Sequence, residues 1–94
     1  MRKSLYTRQS EIVGLALKEI REEAGVSQRQ LCVMLKREHS FVSKYEAGAR
    51  RVDLAEFYWI CCTCGANAET ESRKIMRALA ELDQQLKAEK VSKL

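Results

Sequence analysis

The sequence has no proline and only four glycines among its 94 residues. Proline breaks helices, so its absence leaves long stretches able to remain helical. Gly25, Gly48 and Gly65 each follow a run with helical spacing, where a glycine in the left-handed conformation typically ends a helix. No stretch has the sustained alternation of a β-strand. The chain is therefore predicted to be one all-α domain of five helices.

Long apolar runs are also missing. The longest extends from Leu54 to Cys64, is interrupted by Glu56 and is too short to cross a bilayer. The basic N-terminus lacks the apolar region of a signal peptide. No contact with a membrane is predicted, and the expected location is the cytoplasm, where the four cysteines stay reduced.

Residues for catalysis or metal binding are scarce. The one histidine, His39, has no nucleophile at a recognisable spacing, and no glycine-rich phosphate loop is present, so no enzyme activity is predicted. A zinc site needs four converging ligands, whereas Cys61, Cys62 and Cys64 lie on one predicted helix without a second pair. No metal or cofactor is predicted. Cys61 and Cys64 are expected in the core, and Cys62 is expected to point outward, where a redox-responsive thiol is the alternative reading.

What the sequence does contain is a concentrated positive charge. The whole chain carries a net charge of +4, and the stretch between Val26 and Val52, with six basic and two acidic residues, carries the same +4. The remainder of the chain therefore sums to zero. The basic residues are Arg29, Lys36, Arg37, Lys44, Arg50 and Arg51. A basic patch on one local unit indicates a nucleic-acid partner.

The basic stretch is predicted to form two short helices joined by a turn. Ser27 and Gln30 have the spacing of a capping box at the start of helix 2. The residues from Lys36 to Glu38 are predicted to form the turn, and helix 3 is expected from about His39 to Ala47, ending at Gly48. The polar residues that this helix leaves exposed suit contacts with base edges in a DNA groove.

Two further helices complete the predicted helix-turn-helix domain. Apolar spacing indicates helix 1 from about Ser10 to Ala24, where Gly14 is expected to weaken the first turns, after a flexible basic arm over residues 1–9. Helix 4 opens at Asp53 with Glu56 three residues on, the spacing of a second capping box, and Asn67 can cap the helix that follows. The helix-turn-helix domain is predicted to span residues 10–66.

A long C-terminal helix is predicted within residues 67–94, from about Ala68 to Lys90. Its apolar residues alternate four and three apart, as in a short coiled-coil seam. The seam consists of Ile75, Leu79, Leu82 and Leu86. It either packs on its own domain or pairs with a second copy, and the second reading makes it a dimerisation element.

Residues from about Leu17 to Asn67 resemble the phage-repressor/Cro-type helix-turn-helix domains, the XRE-like family of bacterial and phage transcriptional regulators. The resemblance rests on three motifs and an apolar helix that ends at Gly65. The motifs are Ile20-Arg21-Glu22, Gly25-Val26-Ser27-Gln28-x-x-Leu31 and Val42-Ser43-Lys44-Tyr45-Glu46-x-Gly48. The resemblance implies a five-helix domain that binds double-stranded DNA at the bacterial or phage nucleoid, as a homodimer on a palindromic operator.

The resemblance also implies roles for individual residues. The expected base contacts are His39, Ser40, Ser43 and Lys44. The expected phosphate contacts are Gln28, Arg50 and Arg51, with Arg37 of the turn added to them. Arg21 and Glu46 occupy the positions of a structural ion pair between helices 1 and 3. Two residues depart from the family pattern, because Lys36 stands where a glycine is common and Glu38 stands where a serine or threonine cap is usual.

The sequence therefore predicts a sequence-specific DNA-binding regulator, a repressor or autoregulator, that places helix 3 in the major groove. No small-molecule effector is expected, because the chain contains no effector-binding domain. The alternative is a protein-interaction module, such as an antitoxin or an accessory subunit, with DNA binding secondary. The long charged segment from Ala68 to Leu94 favours that alternative.

Overall fold

The structure is a computed structural model that describes the backbone of residues 2–92 and the side chains of residues 8–89. Within this part the chain forms five helices and no strand, as predicted. The helices are α1 (Arg2–Glu23), α2 (Gln28–Met34), α3 (Phe41–Glu46), α4 (Leu54–Thr63) and α5 (Ala68–Ser92). None of these helices is long and apolar enough to span a membrane.

Helix α1 begins at Arg2 rather than near Ser10. The expected flexible arm over residues 1–9 is therefore wrong for residues 2–9, and Met1 lies outside the described residues. The physical reason is that nothing before Gly14 interrupts the helix. Arginine, lysine, leucine and glutamine, which are common in this segment, are good helix formers.

All five helices contribute to one core. Its buried side chains are Leu17, Ile20, Leu31, Cys32, Leu35, Phe41, Val42, Tyr45, Phe57, Ile60, Cys61 and Ile75. The rings of Phe41 and Tyr45 meet edge to face, with their centroids 5.2 Å apart, an arrangement that adds to the stabilisation from burial. Aromatic packing therefore fixes the buried face of α3, and the opposite face of this helix is exposed to solvent.

Side-chain caps open three of the helices. The Ser27 hydroxyl accepts from the backbone N–H of Gln30, whose side chain accepts from the Ser27 N–H in return. Asp53 and Glu56 form the same reciprocal pair at the start of α4. At α5 the Asn67 side chain accepts from the Thr70 N–H at 2.9 Å. These caps are the ones that the sequence predicted, and they satisfy N–H groups that have no partner inside the helix.

Helix α5 packs its apolar seam against its own chain. Ile75 and Leu82 are buried, while Leu79 and Leu86 are half-buried. The neighbours of α5 are α1 and α4. The prediction that Ile75 and Leu82 form a dimer contact is therefore wrong in this structure, because the α5 surface on which they lie is covered within the chain. Burial in the chain's own core was the other reading that the sequence left open.

Gly14 lies where α1 crosses α3. A Cβ atom at this position would lie 2.6 Å from the carbonyl oxygens of both Tyr45 and Glu46. Real Cβ atoms do not approach backbone oxygens so closely, so any side chain would force the two helices apart. The glycine costs α1 about 1 kcal/mol of helix propensity relative to alanine. In return it permits a contact that positions α3 on the core.

We expect Gly14→Ala to lower the free energy of unfolding by about 1–3 kcal/mol, the usual cost of overpacking. The better helix propensity of alanine works in the opposite direction and should be outweighed. Urea denaturation followed by circular dichroism measures the effect. The control is Lys18→Ala on the exposed side of α1, which should change the stability by less than about 0.5 kcal/mol. Unchanged or raised stability of Gly14→Ala would contradict the close approach of α1 to α3.

Candidate nucleic-acid interface

The turn between α2 and α3 is built around a lysine in a glycine-like conformation. Lys36 has a φ of 56°, and it is the one described non-glycine residue with a positive φ. Its N–H donates to the Val33 carbonyl at 3.0 Å, and the Arg37 N–H donates to the Cys32 carbonyl at 2.9 Å. These two bonds form a Schellman motif, the usual helix end that requires a left-handed residue. Lys36 therefore takes the backbone role of the family's glycine, at a cost of about 1–2 kcal/mol.

The four predicted base contacts lie at the start of α3 and along its outer face. His39 and Ser40 precede the helix, which begins at Phe41 rather than at His39, and Ser40 caps it without a side-chain hydrogen bond. In place of a side-chain cap, the Phe41 N–H donates to the Glu38 carbonyl at 3.0 Å. Ser43 and Lys44 lie on the helix itself and are exposed, as is His39.

Of these side chains, Ser40 and Ser43 are constrained within the domain, whereas His39 and Lys44 extend into solvent. The Ser43 hydroxyl donates to the Ser40 carbonyl at 3.2 Å, which leaves its oxygen able to accept a further hydrogen bond. Ser40 itself is half-buried. The His39 backbone carbonyl accepts from the Cys32 thiol at 3.4 Å, and this contact holds the turn without using the imidazole. His39 and Lys44 consequently offer the most accessible polar groups of the face.

A buried ion pair joins α1 to α3. Arg21 Nε donates to Glu46 Oε2 at 2.7 Å, and Arg21 Nη2 donates to Glu46 Oε1 at 3.1 Å. A third guanidinium bond, from Arg21 Nη1 to the Val26 carbonyl at 2.8 Å, includes the loop before α2. The hydrogen bonds to Glu46 raise the pKa of Arg21, as expected for a bidentate pair. The structure thus brings together the two residues expected to form a structural ion pair.

Gln28, an expected phosphate contact, is attached to this ion pair. Its amide nitrogen donates to Glu46 Oε1 at 2.9 Å, although the residue as a whole is exposed. An amide nitrogen carries two hydrogens, so one N–H can serve Glu46 while the other faces outward. Glu46 therefore orients Gln28 at the start of α2.

Arg37 and Arg50 meet at one carboxylate. The two oxygens of Glu56 accept from Arg50 Nη1 and Nη2, each at 3.1 Å, and Oε2 also accepts from Arg37 Nη1 at 3.1 Å. The Asp53 N–H donates to the same group at 3.1 Å. Both guanidinium groups stack over the Phe41 ring, with their central carbons 4.0 Å and 4.7 Å from its centroid. We refer to Arg37, Phe41, Arg50 and Glu56 together as the Glu56 cluster.

The cluster changes the electrostatics of the predicted phosphate contacts. Hydrogen bonds from Arg50, with further bonds from the Asp53 N–H and Arg37, lower the pKa of Glu56 to about 2. The same contact raises the pKa of Arg50. Glu56 stays ionised at neutral pH and pairs with both arginines, so their expected role as phosphate contacts competes with an existing partner. Arg51, the third predicted arginine, is exposed, and its carbonyl accepts from Arg50 Nη1 at 2.6 Å.

Glu56 was missed as a functional residue by sequence reasoning. The spacing from Asp53 identified its part in the helix cap, and that part is correct. Nothing in the sequence links it to Arg37, which lies nineteen positions earlier. No local pattern indicates that the N-terminus of α4 contacts the turn between α2 and α3, because that contact depends on the tertiary fold.

The cysteines follow the packing predicted for them. Cys32 and Cys61 are buried, Cys64 is half-buried and Cys62 is exposed. Burial raises the pKa of Cys61 to about 11, so this thiol is protonated and unreactive at neutral pH. Among the described side chains, no group of three or more histidine, cysteine, aspartate or glutamate residues is placed to hold a metal ion.

Comparison with known proteins agrees with this geometry. The sequence pattern of the family described as "Helix-turn-helix domain" matches residues 12–74. The structure of an XRE-family like protein from Pseudomonas syringae pv. tomato is 31% identical, covers 82% of this chain and 94% of that chain, and superposes with a TM-score of 0.70. The clp gene regulator ClgR from Corynebacterium glutamicum has the same fold at 23% identity, with 88% of each chain covered and a TM-score of 0.70. No curated protein matches the chain significantly.

The fold and the exposed face of α3 define a helix-turn-helix DNA-binding domain. The chain belongs to the XRE-like family of helix-turn-helix transcriptional regulators, which are not enzymes. The family expectation drawn from the motifs around Gln28 and Lys44 is therefore confirmed for the fold and for the class of protein.

Protonation of Glu56 should weaken the fold in a defined range of pH. The folded state holds the Glu56 pKa at about 2, whereas a glutamate in an unfolded chain titrates near 4.3. The stabilisation is therefore complete above about pH 5 and is lost as the pH falls from there towards 2. We expect the difference in free energy of unfolding between the native chain and Glu56→Gln to be constant from about pH 5.5 to 7 and to shrink at lower pH. A pH-independent difference, measured by urea denaturation, would contradict the ion pairs of the cluster.

Proposed function

We propose that this chain is a sequence-specific regulator, a repressor or autoregulator, that acts as a homodimer on a palindromic operator in the bacterial or phage-infected cytoplasm. The observation that supports this best is the two-sidedness of α3. Phe41, Val42 and Tyr45 are buried, and the opposite side presents Ser43 and Lys44 beside His39. A helix anchored on one side and polar on the other is suited to the major groove, which is wide enough to admit it.

The base contacts proposed are His39, Ser40, Ser43 and Lys44. Lys44 is the principal one, because an exposed ammonium group can donate to both acceptors on the major-groove edge of guanine. The imidazole of His39 can donate or accept at the N-terminal end of α3, and the two serine hydroxyls can do either over a shorter reach. The four residues would together refine the choice of sequence within one half-site.

The phosphate contacts proposed are Gln28 and Arg51. Gln28 uses one amide N–H on Glu46 and has a second, so it can donate to a phosphate without losing its orientation. Arg51 is exposed in the loop after α3. Such contacts set the register of the domain on DNA and supply the salt-dependent part of the affinity.

The dimer contact needs a different surface from the one expected. With Ile75 and Leu82 buried in the chain, large apolar side chains stay exposed where α4 meets α5. Leu54, Tyr58 and Met76 are 80%, 62% and 58% exposed, and the half-buried Leu79 lines a groove with Leu54 and Met76. A cluster of exposed apolar residues marks an interaction surface. Side chains without charge can face their own copies across a two-fold axis without repulsion, so we propose a second copy of the chain as the partner here.

The same surface keeps the protein-interaction reading open as the second candidate. An apolar face that includes Leu54 and Tyr58 could hold a non-identical protein and leave DNA binding secondary. Co-purification of the full chain with a different protein in stoichiometric amount, together with absence of the homodimer by sedimentation, would favour this candidate.

Selection from a library of random DNA duplexes tests the proposal. Purified protein should enrich one palindromic motif with half-sites about one helical turn apart, as two copies of α3 require. Enrichment of a single half-site would remove the dimer from the proposal and leave base recognition intact. The absence of any enriched motif would contradict sequence-specific binding.

On the selected sequence, we expect Lys44→Ala to cost about 1–3 kcal/mol and to relax the preference at one base position in each half-site. Affinity for random DNA should fall much less, because base contacts contribute only at the operator. Titrations by fluorescence anisotropy on both duplexes measure this. The matched control is Lys87→Ala on α5, where the ammonium group pairs with Asp83 at 3.3 Å. Equal losses on operator and random DNA would remove Lys44 from the base contacts.

A further inference from the structure

We propose that Glu56 determines how many cations the domain offers to DNA phosphates, by holding Arg37 and Arg50 away from the DNA backbone. The inference rests on the proposed DNA-binding function and goes beyond it. It makes Glu56, a residue of α4 outside the helix-turn-helix unit, a residue that sets the salt-dependent part of the affinity for DNA. It also reverses the role expected for the two arginines.

The geometry of the cluster supports this first. The guanidinium group of Arg50 makes a two-pronged contact with Glu56 and donates a third bond to the Arg51 carbonyl. The side chains of Arg37, Arg50 and Glu56 are only 26%, 33% and 15% exposed. Two-pronged arginine–carboxylate contacts are among the strongest charge-assisted hydrogen bonds. Binding of both arginines to phosphates would leave Glu56 partly buried without a cation, with only the Asp53 N–H as a partner.

The Phe41 ring supports it second. Both guanidinium groups lie over the ring of a fully buried residue, the first of α3. Moving either arginine to a phosphate would break its cation–π contact as well as its ion pair. The same stacking fixes the turn and the loop after α3 to the start of the recognition helix. The arginines are therefore used inside the domain, as positioning residues for α3.

The charges of the cluster support it third. Arg37 also contacts Glu38 at 3.6 Å, so two arginines and two glutamates lie together and their charges cancel. Arginines that are already paired with carboxylates neutralise few phosphates, so they displace few of the counterions condensed on the DNA. Random DNA is bound through phosphates, whereas the operator is bound through bases as well. Holding two arginines back therefore weakens the phosphate-mediated part of the affinity, which random and operator DNA share.

The test is the salt dependence of binding to random duplex DNA by Glu56→Gln. Glutamine can keep the N3 position of the capping box at Asp53, but it removes the charge that holds both arginines. The slope of log affinity against log salt should steepen by about 1.8 per protomer, which is about 0.9 for each added phosphate contact. The affinities for operator and for random DNA at low salt should both rise, by a similar factor, because phosphates are contacted on both. Glu38→Gln is the matched control, because it removes one charge from the 64% exposed neighbour of Arg37 and should steepen the slope by less than half as much.

Arginine variants test the proposal independently, even if circular dichroism shows that Glu56→Gln folds poorly. In the native background Arg37→Ala and Arg50→Ala should each change the slope by less than about 0.3, and each leaves Glu56 one arginine partner. In the Glu56→Gln background each should lower the slope by about 0.9. Slopes that fall by about 0.9 for each variant in the native background would overturn the proposal, as would an unchanged slope in a folded Glu56→Gln protein. Failure of the native chain to bind any duplex would instead refute the proposed function.

Discussion

The contact between α1 and α3 is the constraint on which the arrangement of the domain depends. Gly14 lets the α1 backbone reach the carbonyl oxygens of Tyr45 and Glu46. About two turns further along α1, Arg21 adds to the same contact through its bidentate pair with Glu46. The close backbone approach requires that Gly14 has no side chain, whereas the ion pair requires the long side chain of Arg21. The close approach at Gly14 and the Arg21–Glu46 pair together fix the buried side and the C-terminal end of α3, so that its polar side faces solvent. Since Glu46 also binds Gln28, the same contact orients the start of α2.

The opposite end of α3 is held by a second set of charges. Phe41 lies beneath two stacked arginines, and Glu56 joins both of them to the start of α4. Partly buried ion pairs are a weak source of stability but a strong constraint on geometry, because loss of one partner leaves the other unpaired. Helix α3 is short, only six residues, yet it is fixed at both ends. Its position owes more to these pairs than to helix propensity.

The sequence predicted the parts of the fold that depend on local patterns. Caps at Ser27 and Asp53, stops at glycine and the apolar spacing of the helices are properties of short segments, and they are found where expected. The starts of α1 and α3 were misplaced, and the other failures concern contacts between distant segments. The α5 seam could be read as a core or as a dimer surface because periodicity does not say what covers a face. The arginines of the basic stretch could be assigned to phosphates because nothing in the sequence places Glu56 beside Arg37. Gly14 was expected only to weaken the first turns of α1, because the sequence does not show that the α3 backbone lies against it.

The central claim is that the exposed side of α3 faces DNA, and amide chemical-shift mapping tests it most directly. Isotope-labelled protein would be titrated with a duplex that it binds, and the shifted amide signals assigned to residues. We predict that the largest shifts fall on His39 to Lys44, with Gln28 and Arg51 next, and that the α4–α5 surface around Leu54 and Met76 changes little on addition of DNA. Shifts confined to that surface, with α3 unaffected, would contradict the claim.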